Sequence, residues 1–215
     1  MQCAEKRSPA QTRRDETKKK KKLEIGIDSP TREEVSQLLK SVRGPFRPFL
    51  IAAAYTGMRA SELRGLRWCD VDFDAQPIHV RQRADRYGEF DAPKSDAGTR
   101  SIPVGPFVIN TLKQWRNDRK KEVAKFDQKA DFDPVFLTQR GTVQKYTNIR
   151  KQQPIPFMKE AGVVDEEGKA KYTGLHAFWQ FHCSWLLNRK EAGGRGATPA
   201  GRAEAYGSYY ARIDL

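Results

Sequence analysis

Eight apolar residues in a row, Pro48-Phe49-Leu50-Ile51-Ala52-Ala53-Ala54-Tyr55, are followed within two positions by Gly57 and then by Arg59. A stretch that is apolar on every side reads as a helix buried all round. Gly57 ends it, because glycine enters the left-handed conformation without a Cβ penalty. A second helical pattern begins almost at once, with Leu63, Leu66 and Trp68 as its apolar positions. Arg59 therefore stands at a tight corner between two buried elements. A guanidinium held there is a planar, permanently charged fork suited to a phosphate. An Arg59–Glu62 pair at i,i+3 that only steadies the corner fits the same residues. The spacing leaves both readings open.

The rest of the chain supplies the frame. The length of 215 residues suits one domain, or one domain with appendages. The formal net charge is +13. Residues 1–22 hold nine Lys/Arg and three Asp/Glu, so +7 remains when they are removed. An excess of that kind points to a polyanionic partner, nucleic acid first. Cys3, Cys69 and Cys183 form no C-x-x-C pair and no disulfide framework, which fits a reducing cytosol. With His79, His176 and His182 they offer no zinc spacing, and no metal site is expected. No apolar run reaches the ~18 residues of a membrane span, so no membrane partner is expected.

Met1 to Lys22 is charged and aperiodic, and reads as disordered. Its five-lysine run, Lys18 to Lys22, is either a solvated linker or an arm lying along a nucleic-acid backbone. Thr31-x-x-Glu34 is a capping box for a helix carrying Val35, Leu38, Leu39 and Val42, which Gly44-Pro45 ends. From Asp70 the period changes to two. Ile78, Val80 and Gln82 alternate with His79, Arg81 and Arg83 as a half-buried strand, Tyr87-Gly88-Glu89 turns, and Phe90 to Pro93 returns. Lys94 to Thr99 is a loop with Lys94 at its tip, and Arg100 to Val104 is a third strand with Pro103 at an edge. The spacing thus predicts a mainly α fold with a small antiparallel sheet over about Pro77 to Val104.

Pro106 opens an amphipathic helix with Val108, Ile109, Leu112 and Trp115 on its apolar face. Tyr146 to Ala161 is helical but broken by Pro154 and Pro156. Leu175 to Leu187 is a dense apolar helix begun by His176, a position that on its own reads as packing. After Arg189 the apolar period ends in Gly- and Ala-rich sequence.

Three segments together resemble the catalytic domain of the tyrosine recombinase (phage integrase) family. Thr56-Gly57-Met58-Arg59-Ala60-Ser61-Glu62-Leu63 is similar to the family's first arginine box. Ala92-Pro93-Lys94-Ser95 with Arg100-Ser101-Ile102-Pro103-Val104 is similar to its lysine-bearing hairpin. Gly174-Leu175-His176-Ala177-Phe178 with His182-Cys183-Ser184-Trp185-Leu186 is similar to its H-x-x-R helix. The resemblance divides the chain into a basic tail over 1–28, a catalytic-domain-like unit over 29–189 and a degenerate tail over 190–215. It implies DNA cleavage and rejoining through a phosphotyrosyl link, with no metal, ATP or other cofactor. It implies double-stranded DNA as partner, with other recombinase subunits on that DNA, in a bacterial cytosol or from a phage. By carry-over, Arg59 binds the scissile phosphate, Lys94 protonates the leaving oxygen, His176 assists proton transfer, and Glu62 orients the arginine corner.

The pattern also departs from the family. The second arginine belongs three residues after His176, where this chain has Trp179, a single neutral N–H donor. Neither a Leu-Gly-His box nor an Asp-x-Tyr context follows. Tyr210 has a plausible spacing for the nucleophile but the wrong neighbours. The shift in composition near Gly194 is the kind that a reading-frame change produces. The expectation is an impaired recombinase. A non-catalytic DNA-binding remnant is the alternative, and a basic RNA- or ribosome-binding protein rests on composition alone.

Overall fold

The computed structural model describes residues 24–93, 98–124, 134–138, 141–152 and 154–192. Lys94, Tyr210 and the basic run Lys18 to Lys22 lie outside the described residues. Residues 24–28, placed in the basic tail by the resemblance, form a turn: the amide of Asp28 donates to the carbonyl of Glu24 at 2.8 Å, and that of Gly26 to the carbonyl of Ser29 at 2.7 Å.

The capping box opens α1 (Arg32–Ser41). The Thr31 hydroxyl accepts the Glu34 amide at 3.2 Å and the Glu34 carboxylate accepts the Thr31 amide at 2.8 Å. Val35, Leu38 and Leu39 on its inner face are buried. The apolar run becomes α2 (Phe46–Thr56), buried on all sides from Phe49 to Tyr55. Phe49 meets Phe136 edge-on at 5.0 Å, and Phe46 stacks on Phe157 at 6.0 Å. Each fully buried side chain of this kind contributes roughly 1.5–3 kcal/mol of apolar transfer. A cut such as Leu50→Ala would cost about 2–5 kcal/mol at a fully packed position.

The remaining described helices are α3 (Ala60–Gly65), α4 (Pro106–Ala124), α5 (Tyr146–Gln152), α6 (Pro154–Glu160) and α7 (His176–Ala192). Of these, α3, α4 and α7 pack on α2, α6 chiefly on α1, and α5 on α6 in turn. In α4 the inward residues are those the period predicted, Val108, Ile109, Leu112 and Trp115, with the Trp115 indole donating to the Val135 carbonyl at 2.8 Å. Pro154 and Pro156 fall in the first turn of α6, where a missing N–H costs little. α7 continues past Arg189 to Ala192.

The β region consists of two antiparallel ladders. β1 (Pro77–Val80) pairs with β4 (Arg100–Pro103), Ile78 opposite Ile102 and Val80 opposite Arg100. β2 (Arg83–Ala84) pairs with β3 (Phe90–Asp91), shorter than the predicted return strand through Pro93. Its turn is closed by Asp85, whose Oδ1 accepts the amides of Tyr87, Gly88 and Glu89. The second helical pattern is also shorter than predicted. α3 stops at Gly65, and a 3₁₀ turn, Trp68–Asp70, follows, with Leu66 buried between them. The reason is contact: a Cβ on Gly65 would stand 2.7 Å from the Arg83 carbonyl carbon, so the helix end lies directly on β2.

Candidate phosphate-binding site

The corner is built by four successive backbone devices. The Thr56 hydroxyl donates to the Ala52 carbonyl at 2.6 Å and accepts the Met58 amide at 3.2 Å, which trims the end of α2. Gly57 then turns the chain at φ 61° and ψ 23°. Arg59 is extended, at φ −67° and ψ 153°, and precedes the first residue of α3. Glu62, one turn into α3, reaches back so that its Oε2 accepts the Arg59 amide at 2.9 Å.

Glu62 is the centre of the site. Its side chain is buried, and both oxygens are used twice. Oε1 accepts Arg59 Nη1 at 3.1 Å and Arg100 Nη1 at 3.2 Å; Oε2 accepts the Arg59 amide and Arg100 Nη2 at 2.8 Å. Burial works against its charge. The hydrogen bonds from Arg100 and the Arg59 backbone, the charge of Arg100 and the bond from the Arg59 side chain outweigh burial and hold the carboxyl below its usual range. The i,i+3 pair therefore exists, and it leaves the Arg59 side chain two-thirds exposed. Pairing and presentation of the arginine are one arrangement.

Arg100 was not singled out from the sequence. Strand alternation puts it on the same face as Ile102, which is buried in the core, so at the end of β4 its guanidinium meets α3. It also donates to the Gly98 carbonyl at 3.1 Å, two residues back along the chain.

α7 reaches this corner through His182. A Cβ on Gly57 would stand 2.3 Å from His182 Cδ2, so the imidazole packs on the turn itself. Burial pushes the His182 pKa down to about 4; a hydrogen bond with the Ala54 backbone works the other way, and the charge of Arg100 adds to the lowering. His182 is therefore neutral near pH 7. From the sequence it is one of three histidines and a member of the third segment, with no role of its own; six residues after His176 it lies about 120° round the helix, toward α2.

His176 opens α7 and is exposed, rather than packed in the interior as a helix-start histidine alone suggested. Its ring stacks on Trp179 at 5.2 Å with 12° between planes. The helix rise sets it roughly 9 Å along the axis from His182. The structure thus joins Arg59, Glu62 and Arg100 by direct bonds and brings the helix of His176 against the same turn. A second network holds the approach to α7. The Tyr172 hydroxyl donates to Glu34 at 2.8 Å, with the Ser29 carbonyl at 3.2 Å, and Lys171 Nζ pairs with Glu34 at 2.6 Å.

Helices round a buried central helix, two short ladders, and two arginines on one buried carboxylate define the class of domain, and comparison agrees. Residues 29–191 match the phage integrase family, and the chain belongs to that family. Prophage integrase IntR of Escherichia coli K12 is 30% identical over 205 residues, covering 91% of this chain and 48% of that protein. A XerC-like tyrosine recombinase of Caldanaerobacter subterraneus subsp. tengcongensis is 25% identical over 185 residues, covering 78% of this chain and 45% of that protein. The chain spans about half the length of these curated relatives. The integrase of transposon Tn1549, solved in complex with circular intermediate DNA, superposes with a TM-score of 0.62 at 26% identity, over 78% of this chain and 56% of that one. Among the described residues no helix is long and apolar enough to cross a membrane.

Proposed function

We propose that this chain acts on double-stranded DNA as the catalytic-domain portion of a site-specific tyrosine recombinase, holding a backbone phosphate at the Arg59 corner. The observation that carries this reading is the buried Glu62 carboxylate, which aims two guanidiniums at one surface. A fixed, partly dehydrated cation stabilises the charge that develops on a phosphate during transfer. In the family's chemistry a tyrosine hydroxyl attacks the phosphate, the 5′-hydroxyl leaves, and the 3′-phosphotyrosyl bond keeps the bond energy for rejoining.

In this reading Arg59 binds the phosphate, Lys94 protonates the leaving oxygen, His176 assists proton transfer, and Tyr210 is the candidate nucleophile. Trp179 weakens the arrangement: it stacks on His176 where a second guanidinium would stand. The recombinase chemistry is thereby impaired, and binding of DNA outlasts it. Other recombinase subunits on the same DNA complete the assembly.

The test is affinity for duplex DNA as a function of salt, for the whole chain and for the chain without residues 1–22. Binding that weakens steeply with salt in both supports the reading, because released counterions are the signature of phosphate contacts. Affinity that ignores salt would sink it.

A further inference from the structure

We propose that Arg100 is a phosphate-binding residue in its own right, supplying to DNA the second guanidinium that Trp179 does not provide. The inference rests on the DNA reading above and adds a residue to it.

Arg100 has more donors than its partners use. A guanidinium has five N–H groups, arranged as forks along its edges. Arg100 Nη1 directs one toward Glu62 Oε1 and one toward the Gly98 carbonyl, at 3.2 and 3.1 Å. Nη2 directs one toward Glu62 Oε2 at 2.8 Å. The end of the guanidinium is thus committed to the carboxylate and one flank to the loop. The other flank, made of Nε–H and the second Nη2–H, meets no acceptor among the described residues. That flank is the bidentate fork that matches two oxygens of a phosphate.

Charge and position agree with the count. Glu62 neutralises one of its two arginines, so the trio carries a net +1. Arg100 is 31% exposed and Arg59 66%, while Glu62 is 3% exposed, so the positive groups face solvent and the negative one does not. Two guanidiniums bonded to one carboxylate are close enough to grip one phosphate or two neighbouring ones. Arg100 is also held from two sides, by Glu62 and by the Gly98 carbonyl, so less of its freedom is lost on binding.

A purely structural brace would act on DNA only through Arg59, and a double-mutant cycle separates the cases. Duplex DNA affinity is measured against salt for the full chain and for Arg59→Gln, Arg100→Gln and the double variant, each checked by thermal melting. Each single variant is expected to lower the slope of log Kd against log salt by about 1, and the double variant by about 2. If Arg100→Gln leaves the slope unchanged in the Arg59→Gln background, Arg100 is a brace and the proposal is overturned. Should Arg100→Gln not fold, Arg100→Lys serves instead. It keeps the charge and loses the fork, so the slope should hold while affinity falls several-fold; undiminished affinity overturns the proposal. A flat salt dependence in the wild type overturns the DNA reading and this inference together. A steep wild-type slope with unaltered Arg100 variants overturns this inference alone.

Discussion

The imidazole of His182 fills the space that a side chain on Gly57 would need, with Cδ2 2.3 Å from the ideal Cβ position. The turn that presents Arg59 and the helix begun by His176 are thereby packed ring against backbone.

Gly57→Ala is expected to lose stability twice over. The left-handed conformation costs a non-glycine residue about 1–2 kcal/mol, and forcing a methyl into a packed ring costs roughly 1–3 kcal/mol more. Gly44 has the same φ of 61° but nothing within 4 Å of its Cβ position, so Gly44→Ala incurs only the first cost. The two variants, compared by denaturant unfolding, should differ by the second. Equal losses would mean that the ring moves aside freely.

Stability should fall with acid through His182. Its pKa is about 4 in the folded chain against an ordinary 6.5, so between those values the unfolded state binds the proton that the folded state refuses. The contribution is complete above pH 6.5 and lost as pH falls toward 4, by up to about 3 kcal/mol. Glu62, also held low, loses its share as pH falls below its ordinary 4.5 and through its folded value. His182→Phe should flatten the unfolding free energy between pH 6.5 and 4.5. A variant with an unaltered pH profile would place the titration elsewhere.

Tyr172 joins the start of α1 to the segment leading into His176. Burial, then the hydrogen bond to Glu34 and its charge, raise the phenol pKa, so the hydroxyl stays a donor. Tyr172→Phe is expected to cost about 1–2 kcal/mol and to speed amide exchange at the start of α7. The more exposed Lys171–Glu34 pair should matter less, under about 1 kcal/mol for Lys171→Ala. Identical exchange in Tyr172→Phe and wild type would remove the hydroxyl from any role in seating His176.

The chain as written is expected to form no detectable covalent adduct on a nicked suicide DNA substrate. Loss of one phosphate-directed donor costs on the order of 10²–10³ in rate, by analogy with oxyanion-hole deletions. Trp179→Arg should raise DNA affinity and steepen its salt slope by about 1. An adduct in the wild type that vanishes in Tyr210→Phe would refute the expected inactivity and identify the nucleophile.

Much of this was legible in the sequence because it is local. A capping box, an apolar run closed by glycine and a change of period from 3.6 to 2 each declare themselves within a few residues. Arg59 and Glu62 stand at the cap and the third position of one helix start, so their pairing follows from local capping geometry. Arg100 and His182 were different. Arg100 meets Glu62 across 38 positions of chain, and His182 meets Gly57 from another helix, contacts that exist only once α3, β4 and α7 have packed. Alternation could place Arg100 on the inward face of its strand, but not opposite a carboxylate. The sequence alone determined which residues turn, cap and bury, since those choices depend on backbone preference and apolar period. The tertiary structure decided which charges share a partner, because a buried carboxylate takes the donors that packing brings within about 3 Å of it.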